Sequence, residues 1–334
     1  MHLRSSASLP TLSAGVLATV LATALVTALA TVLAGAVTGV LAPSPAAAKD
    51  PRLERKFYVD PASSAVLALR EGQPVRKLAT TPQAVWLTDV TAPRSRAKKV
   101  VRAHLAEARK KRRTAVFVLY AIPGRDCGSW SGGGLSPKRY PAWTRAIAAG
   151  LKGSRAMVVL EPDAVATLGA CAGQGNRAKL LRDAVKWLDR AGAWVYLDGG
   201  HSAWLEPAEM ARRLKATGVA RARGFATNVS NHRTTAAEKV YARQVRRELA
   251  RLGVPRRRYV IDVSRNGVGP DLTQTWCNNL TARVGGRPRV VDKHGLDAVL
   301  WIKRPGESDG GCNGGPEAGR WWPRGARALL GAVG

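Results

Sequence analysis

The sequence predicts an α/β fold in which parallel strands curl into a barrel, and three observations carry that expectation. Short apolar runs rich in Val, Ile and Leu recur along the chain, each ends in polar residues, and each is followed by a longer stretch with charges on one helical face. Strands buried on both faces and joined by helices belong to a parallel sheet, and seven or eight such units in one domain favour a barrel over an open sheet. The doubly wound alternative ordinarily carries a Gly-rich phosphate loop after an early strand. Here Gly132-Gly133-Gly134 has neither the GxGxxG spacing nor the Walker Lys-Ser/Thr, so no cofactor is expected.

The runs that read as strands are residues 56–59, 84–87, 114–121, 156–160, 194–197, 224–227, 259–263 and 298–302. Helices are expected between them, for example over 177–191 and 236–252, where charges recur at helical spacing. Ahead of these units residues 1–48 are almost free of charge. Arg4 gives a basic start, residues 9–41 are apolar, and Ala46-Ala47-Ala48 supplies the small residues a signal peptidase needs before Lys49. The reading is an export signal, with a retained membrane anchor as the alternative because the run is long enough to span a bilayer. Residues 49–334 are then one catalytic domain, since no Pro/Thr-rich or Gly/Ser-rich linker and no repeat divides them.

The net charge of +30 invites a nucleic-acid reading. Its basic clusters, 109–113, Arg212-Arg213 and Arg246-Arg247, fall in helix-like stretches, where they occupy a solvated face rather than line one groove. No nucleic-acid partner is expected; electrostatic contact with an anionic cell wall or membrane surface is the remaining reading, and the chain is expected to be a monomer. Four cysteines in an exported chain indicate two disulfides, which four residues can form in three ways. Their spacing does not match a CxxC zinc site, so no metal is expected.

The residues just past each strand are more informative. Arg125 and Asp126 come after the third run, Glu161 and Asp163 after the fourth, Asp198 and His201 after the fifth, Asn228 after the sixth, and Lys303, Glu307 and Asp309 after the last. One polar residue after a strand is ordinarily a turn former or helix cap. Five strand ends in succession bearing carboxylates, amides and a lysine are poorly explained that way, because all C-terminal strand ends of a parallel barrel lie on one face. Carboxylates without a matching His/Cys set suit glycosidic cleavage, where one carboxyl protonates the leaving oxygen and another assists water or attacks the sugar. Crowding raises the pKa of one carboxyl and so supplies an acid that holds its proton near neutral pH. Trp86, Trp204 and Trp276 lie at or beyond strand ends, where an indole can stack on a pyranose ring, although any single Trp is more often packing.

These residues resemble the successive signatures of family 6 glycoside hydrolases, the cellobiohydrolases and endoglucanases. The resemblance rests on Tyr120 with Pro123-Gly124-Arg125-Asp126-Cys127-Gly128, Leu160-Glu161-Pro162-Asp163, Leu197-Asp198-Gly199-Gly200-His201-Ser202-Ala203-Trp204, Ala226-Thr227-Asn228-Val229-Ser230-Asn231, Ile261-Asp262-Val263-Ser264-Arg265-Asn266-Gly267, Trp276-Cys277-Asn278, and Leu300-Trp301-Ile302-Lys303-Arg304-Pro305-Gly306-Glu307-Ser308-Asp309-Gly310. It implies a distorted, incomplete barrel of about seven parallel strands and an inverting reaction. By the same resemblance Asp163 is the general acid, Asp126 tunes it and orients water, Asp198 supports it, and Asp309 matches a disputed general base, because a water chain is a competing route for the proton. Arg265 and Lys303 are its expected partners. Tyr120 presses the sugar toward a distorted ring, Ser131 lies in a mobile loop that holds water, and Arg125 belongs to the same motif. Trp86 and Trp276 are expected on the glycone side, Trp204 on the aglycone side, and His201, Asn228, Lys303 and Glu307 as hydrogen-bonding groups. The resemblance pairs Cys127 with Cys171 and Cys277 with Cys312.

Family members with long loops roof the site into a tunnel. The stretch between Trp276 and Lys303 and the loop after Asp309 are short, so an open cleft and internal cleavage of a β-1,4-glucan are expected, with exo-acting cellobiohydrolase action as the alternative. Two readings from other classes, a non-catalytic wall-binding protein and a nucleic-acid-binding protein, are opposed by the intact carboxylate set and by the absence of a basic groove motif.

Overall fold

The computed structural model describes residues 50–270 and 276–332. Eight strands form one sheet: β1 (Val85–Leu87), β2 (Val116–Leu119), β3 (Met157–Leu160), β4 (Trp194–Asp198), β5 (Gly224–Thr227), β6 (Arg258–Asp262), β7 (Arg289–Lys293) and β8 (Leu296–Leu300). Their order is β1-β2-β3-β4-β5-β6-β8-β7. Every neighbouring pair is parallel except β7 on β8. Seven parallel strands in chain order, curled and flanked by helices, make the expected distorted, incomplete barrel.

Both faces of the strands are buried, which is why they read as continuous apolar runs. Val118, Tyr120, Met157, Val159, Tyr196, Val260 and Leu300 fill the interior. The alternate residues, among them Phe117, Leu119, Val158, Leu160 and Ile261, pack outward. Against them lie α1 (Ser64–Arg70), α2 (Arg76–Thr80), α3 (Arg94–Lys110), α4 (Tyr140–Leu151), α5 (Arg177–Arg190), α6 (Pro207–Ala216), α7 (Thr235–Arg251) and α8 (Pro323–Leu329). In α5 the Asn176 side chain caps the start by accepting from the Lys179 N–H, and Leu180, Leu181, Ala184, Val185 and Leu188 form the buried stripe. Truncating Leu188, which is fully buried, to Ala should cost about 2–5 kcal/mol.

Among the described residues the ring does not close by a ladder. Where β1 and β8 approach, three bonds form a seam: Ala84 N–H to Trp301 O at 2.9 Å, Trp86 Nε1 to Ile302 O at 2.8 Å and Arg304 Nε to Ala84 O at 3.0 Å. Two expectations are corrected. Residues 56–59 form no strand, only a single bridge from Phe57 to Thr114. β7 was not expected, because its exposed Arg289, Asp292 and Lys293 break the apolar pattern of an edge strand that covers only one side of β8. The expected export segment, residues 1–48, lies outside the described residues.

Candidate active site

The segments that leave the C-terminal ends of the strands carry the predicted residues. After β2 the chain turns through Asp126 and Cys127, both at positive φ (53° and 48°), into a loop that folds back on itself. Arg125 fixes that loop: Nε donates to Ser131 O at 2.8 Å, Nη2 to Gly132 O at 3.1 Å and Nη1 to Tyr120 O at 2.8 Å, with Asp89 as its counter-ion at 3.1 Å. The loop can close only because Gly134 has no side chain, since a Cβ there would lie 2.1 Å from Ile122 O. Ser131 is thereby held so that its Oγ–H and N–H both donate to Asp126 Oδ2, at 2.7 and 2.9 Å. With the Ser131 proton committed, the Tyr120 hydroxyl is the donor in its 2.9 Å contact with Ser131 Oγ. Burial, then the charges of Asp163 and Asp126, push the Tyr120 phenol well above its ordinary value and keep it neutral.

Beside this loop, β3 ends in a tight turn with Glu161 and Asp163 at positive φ (52° and 66°). Desolvation, with the neighbouring Asp126 charge, pushes the Asp163 carboxyl up to about 7. Asp163 retains partial exposure, so its proton is available to something bound there. Asp198, at the end of β4, accepts from the Asp163 N–H at 2.8 Å while its Oδ1 is buried without a hydrogen-bond partner. Burial and then the Asp163 charge raise its pKa. Both groups are therefore biased toward the neutral form.

The far side of the rim is built oppositely. Asp309 is 6% exposed, and its oxygens are filled by Arg265 Nη1 at 2.6 Å, Lys303 Nζ at 3.0 Å and the Asn278 N–H at 2.9 Å. Burial alone would raise its pKa, but Arg265 and Lys303 outweigh it and hold the carboxylate well below the usual range. Arg265 also donates to Ser230 O, and Lys303 Nζ to Ser308 O at 3.1 Å.

Aromatic residues mark the flanks. Trp86 meets Tyr120 edge to face at 5.2 Å, Trp204 leans on His201 at 5.6 Å, and Trp204 and Trp276 are 39% and 47% exposed. Beyond Trp204 a depression of about 590 Å³ lies between the 202–207 segment and α7. Burial and the Arg233 charge push the His201 imidazole down to about 4, so it is neutral above that pH. Two predicted contact residues are otherwise engaged. Asn228 is fully buried, with its amide donating to Asp262 O at 2.9 Å and accepting from the Arg233 N–H at 3.0 Å. Glu307 Oε1 accepts from Ser64 Oγ at 2.7 Å and from Arg304 at 3.3 Å.

The disulfides join Cys127 to Cys171 and Cys277 to Cys312, tying the β2 loop to the segment after β3 and Asn278 to the segment after Asp309. Among the described residues no group of three or more His, Cys, Asp or Glu could hold a metal.

Several residues of the site were given no role by sequence reasoning, although Glu161 stood among the strand-end residues. Glu161 is fully buried, and its Oε2 accepts from the Ala121 and Ile122 N–H groups at 2.9 and 3.0 Å, fixing the backbone next to Tyr120. Desolvation pushes it up to about 8. Arg177, also buried, donates to Pro123 O and Gly124 O at 2.7 Å and to Thr167 Oγ1 at 2.9 Å, joining the two loops from below. Asp262 accepts from the N–H groups of Ser230, Ser264, Ile302 and Lys303, within 3.1 Å. Trp130, 53% exposed, rests on Gly310, where a Cβ would come within 2.3 Å of its own. The β2 loop thus touches the residue following Asp309. Strand-end position flagged Glu161, and Asp262 stands in a quoted motif, without a role being assigned to either; nothing in the pattern marks Arg177 or Trp130.

The profile described as Glycosyl hydrolases family 6 matches residues 53–332. Endoglucanase A of Cellulomonas fimi is 45% identical over 272 residues, 80% of this chain and 59% of that protein, so the chain spans about three fifths of its length. Endoglucanase 1 of Streptomyces halstedii is 35% identical over 305 residues, 86% of this chain and 93% of that protein. Among solved structures, the endoglucanase Cel6 of Mycobacterium tuberculosis in complex with methyl-cellobiosyl-4-deoxy-4-thio-β-D-cellobioside aligns with a TM-score of 0.79 at 40% identity, covering 84% of this chain and 98% of that chain.

Proposed function

Since the chain belongs to glycosyl hydrolase family 6, we propose that it cleaves internal β-1,4 bonds of cellulose or a related glucan with inversion. The observation that carries the reading is the division of labour among the rim carboxyls: Asp163 is desolvated and holds a proton near neutrality, whereas Asp309 is locked as an anion between two cations. In this reading Asp163 donates its proton to the glycosidic oxygen as the bond breaks, and positive charge develops on the sugar. With every oxygen of Asp309 occupied and its basicity low, the proton of the attacking water passes through solvent toward Asp126 and Ser131, which form a ready acceptor pair. Tyr120, neutral and braced through Ser131, presses the sugar between Trp86 and the acid.

Internal cleavage is supported by the exposure of Trp204 and Trp276 and by the short stretches between Trp276 and Lys303 and after Asp309. Export is proposed from the apolar residues 1–48 and fits two disulfides, which persist in an oxidising compartment. The deciding experiment follows viscosity and reducing ends together on a soluble β-1,4-glucan, with the anomeric form of the first products read by NMR. Rapid viscosity loss per reducing end and initial α-anomer are expected; retention of configuration, or no release of sugar, overturns the reading.

A further inference from the structure

Away from the rim, the strongest unused feature is a basic groove at the N-terminal ends of the strands. Two adjoining depressions of about 550 and 330 Å³ share Arg55 and Arg113 and are lined by the segments that enter β1, β2 and β3 and by the start of β7. Arg55, Lys56, Lys111, Arg113, Arg287 and Arg289 line the larger, against a single carboxylate, Glu54. Among the described residues none of the six forms an ion pair; other surface cations, Lys186 and Arg247 among them, also lack one, and what sets these six apart is that they line one depression. Six unneutralised charges drawn together from three distant parts of the sequence repel one another, and an anion in the groove relieves that repulsion.

The lining says which anion. Val59, Pro82, Pro288 and Val290 lie among the cations, giving C–H surface on which sugar rings can rest. Arginine forks match carboxylates in a bidentate fashion. None of the exposed large apolar side chains lies here, and Phe57, the aromatic in the lining, is buried, so the groove has neither a membrane-inserting anchor nor an exposed aromatic face for base stacking. We propose that this groove docks a linear acidic polysaccharide of the polyuronate type. Binding there leaves the cleft free to take a neutral glucan while the protein is held on an anionic matrix.

Affinity electrophoresis of the protein through polygalacturonate at about 0.15 M salt, where exposed charges more than a Debye length apart are largely screened, tests this. Arg55→Glu/Arg289→Glu should weaken retention about tenfold or more. Lys186→Glu/Arg247→Glu, which makes the same change in net charge on α5 and α7, should change it less than about threefold. Turnover of a neutral soluble glucan should match the parent in both variants. Equal losses in the two variants overturn the proposal, as does tighter retention by inorganic polyphosphate, duplex DNA or anionic phospholipid vesicles than by polygalacturonate.

Discussion

The two sides of the candidate catalytic rim hold the same kind of side chain in opposite states. Around Asp163 the neighbours are other carboxyls, Asp126 and Asp198, and its pKa is pushed up to about 7. Around Asp309 they are Arg265 and Lys303, and its pKa falls. Both sites are desolvated, so burial does not distinguish them; the sign of the nearest charge does. A protein can therefore draw an acid and a permanent anion from one residue type by choosing what stands beside each.

The sharpest way to break this comparison is Asp163→Ala, which should lower kcat on soluble glucan by about 10²- to 10⁴-fold; full activity would remove Asp163 as the acid. Its stability effect should be small, because no counter-ion is stranded. Asp309→Ala leaves Arg265 and Lys303 buried and unpaired, and urea unfolding should register a loss of about 3–5 kcal/mol. Equal stability losses in the two variants would show that the two sides do not differ as described.

The pH dependence sharpens the contrast further. As the proposed acid, Asp163 needs its proton, so kcat should fall as pH rises through about 7. Asp126→Asn removes a charge that raises the pKa of Asp163, and should move this limb to lower pH. Stability obeys the same signs. Glu161, raised in the folded state to about 8, contributes stability that is complete below its unfolded pKa and is lost as pH rises through 8. Glu161→Gln should flatten the fall in Tm across that window. Asp309, lowered on folding, contributes stability present above its unfolded pKa and lost as the pH drops below it. The smallest effect expected is from Trp204→Ala at the edge of the cleft, a severalfold rise in KM with kcat little changed.

Much of this was legible in the residues. Seven of the eight expected strands fall on β1 to β6 and β8, because a strand buried on both faces announces itself as an uninterrupted apolar run. The run at 56–59 looked the same, yet Phe57 makes only one bridge, since Phe57 can serve the interior and Tyr58 the outer layer without a ladder. β7 was hidden by its charges. At the site, the carboxyls showed themselves by position after strands, and the family resemblance assigned their roles. What sequence could not display was support from beneath: Arg177 looks like any helix-start cation until its guanidinium is found under two loops. Asn228 looked available for a sugar, although its amide braces Asp262 and Arg233.

The seam between β1 and β8 has a mechanical consequence. A ladder shares load over many bonds, whereas here one of the three connections is the indole N–H of Trp86. A side chain that staples the wall is also the one proposed to lie beneath a sugar, so filling that position should stiffen the wall at its thinnest place. Amide hydrogen exchange at Trp86 and Leu87 should slow when a cello-oligosaccharide occupies the cleft, and the strands farthest from the seam should register little change.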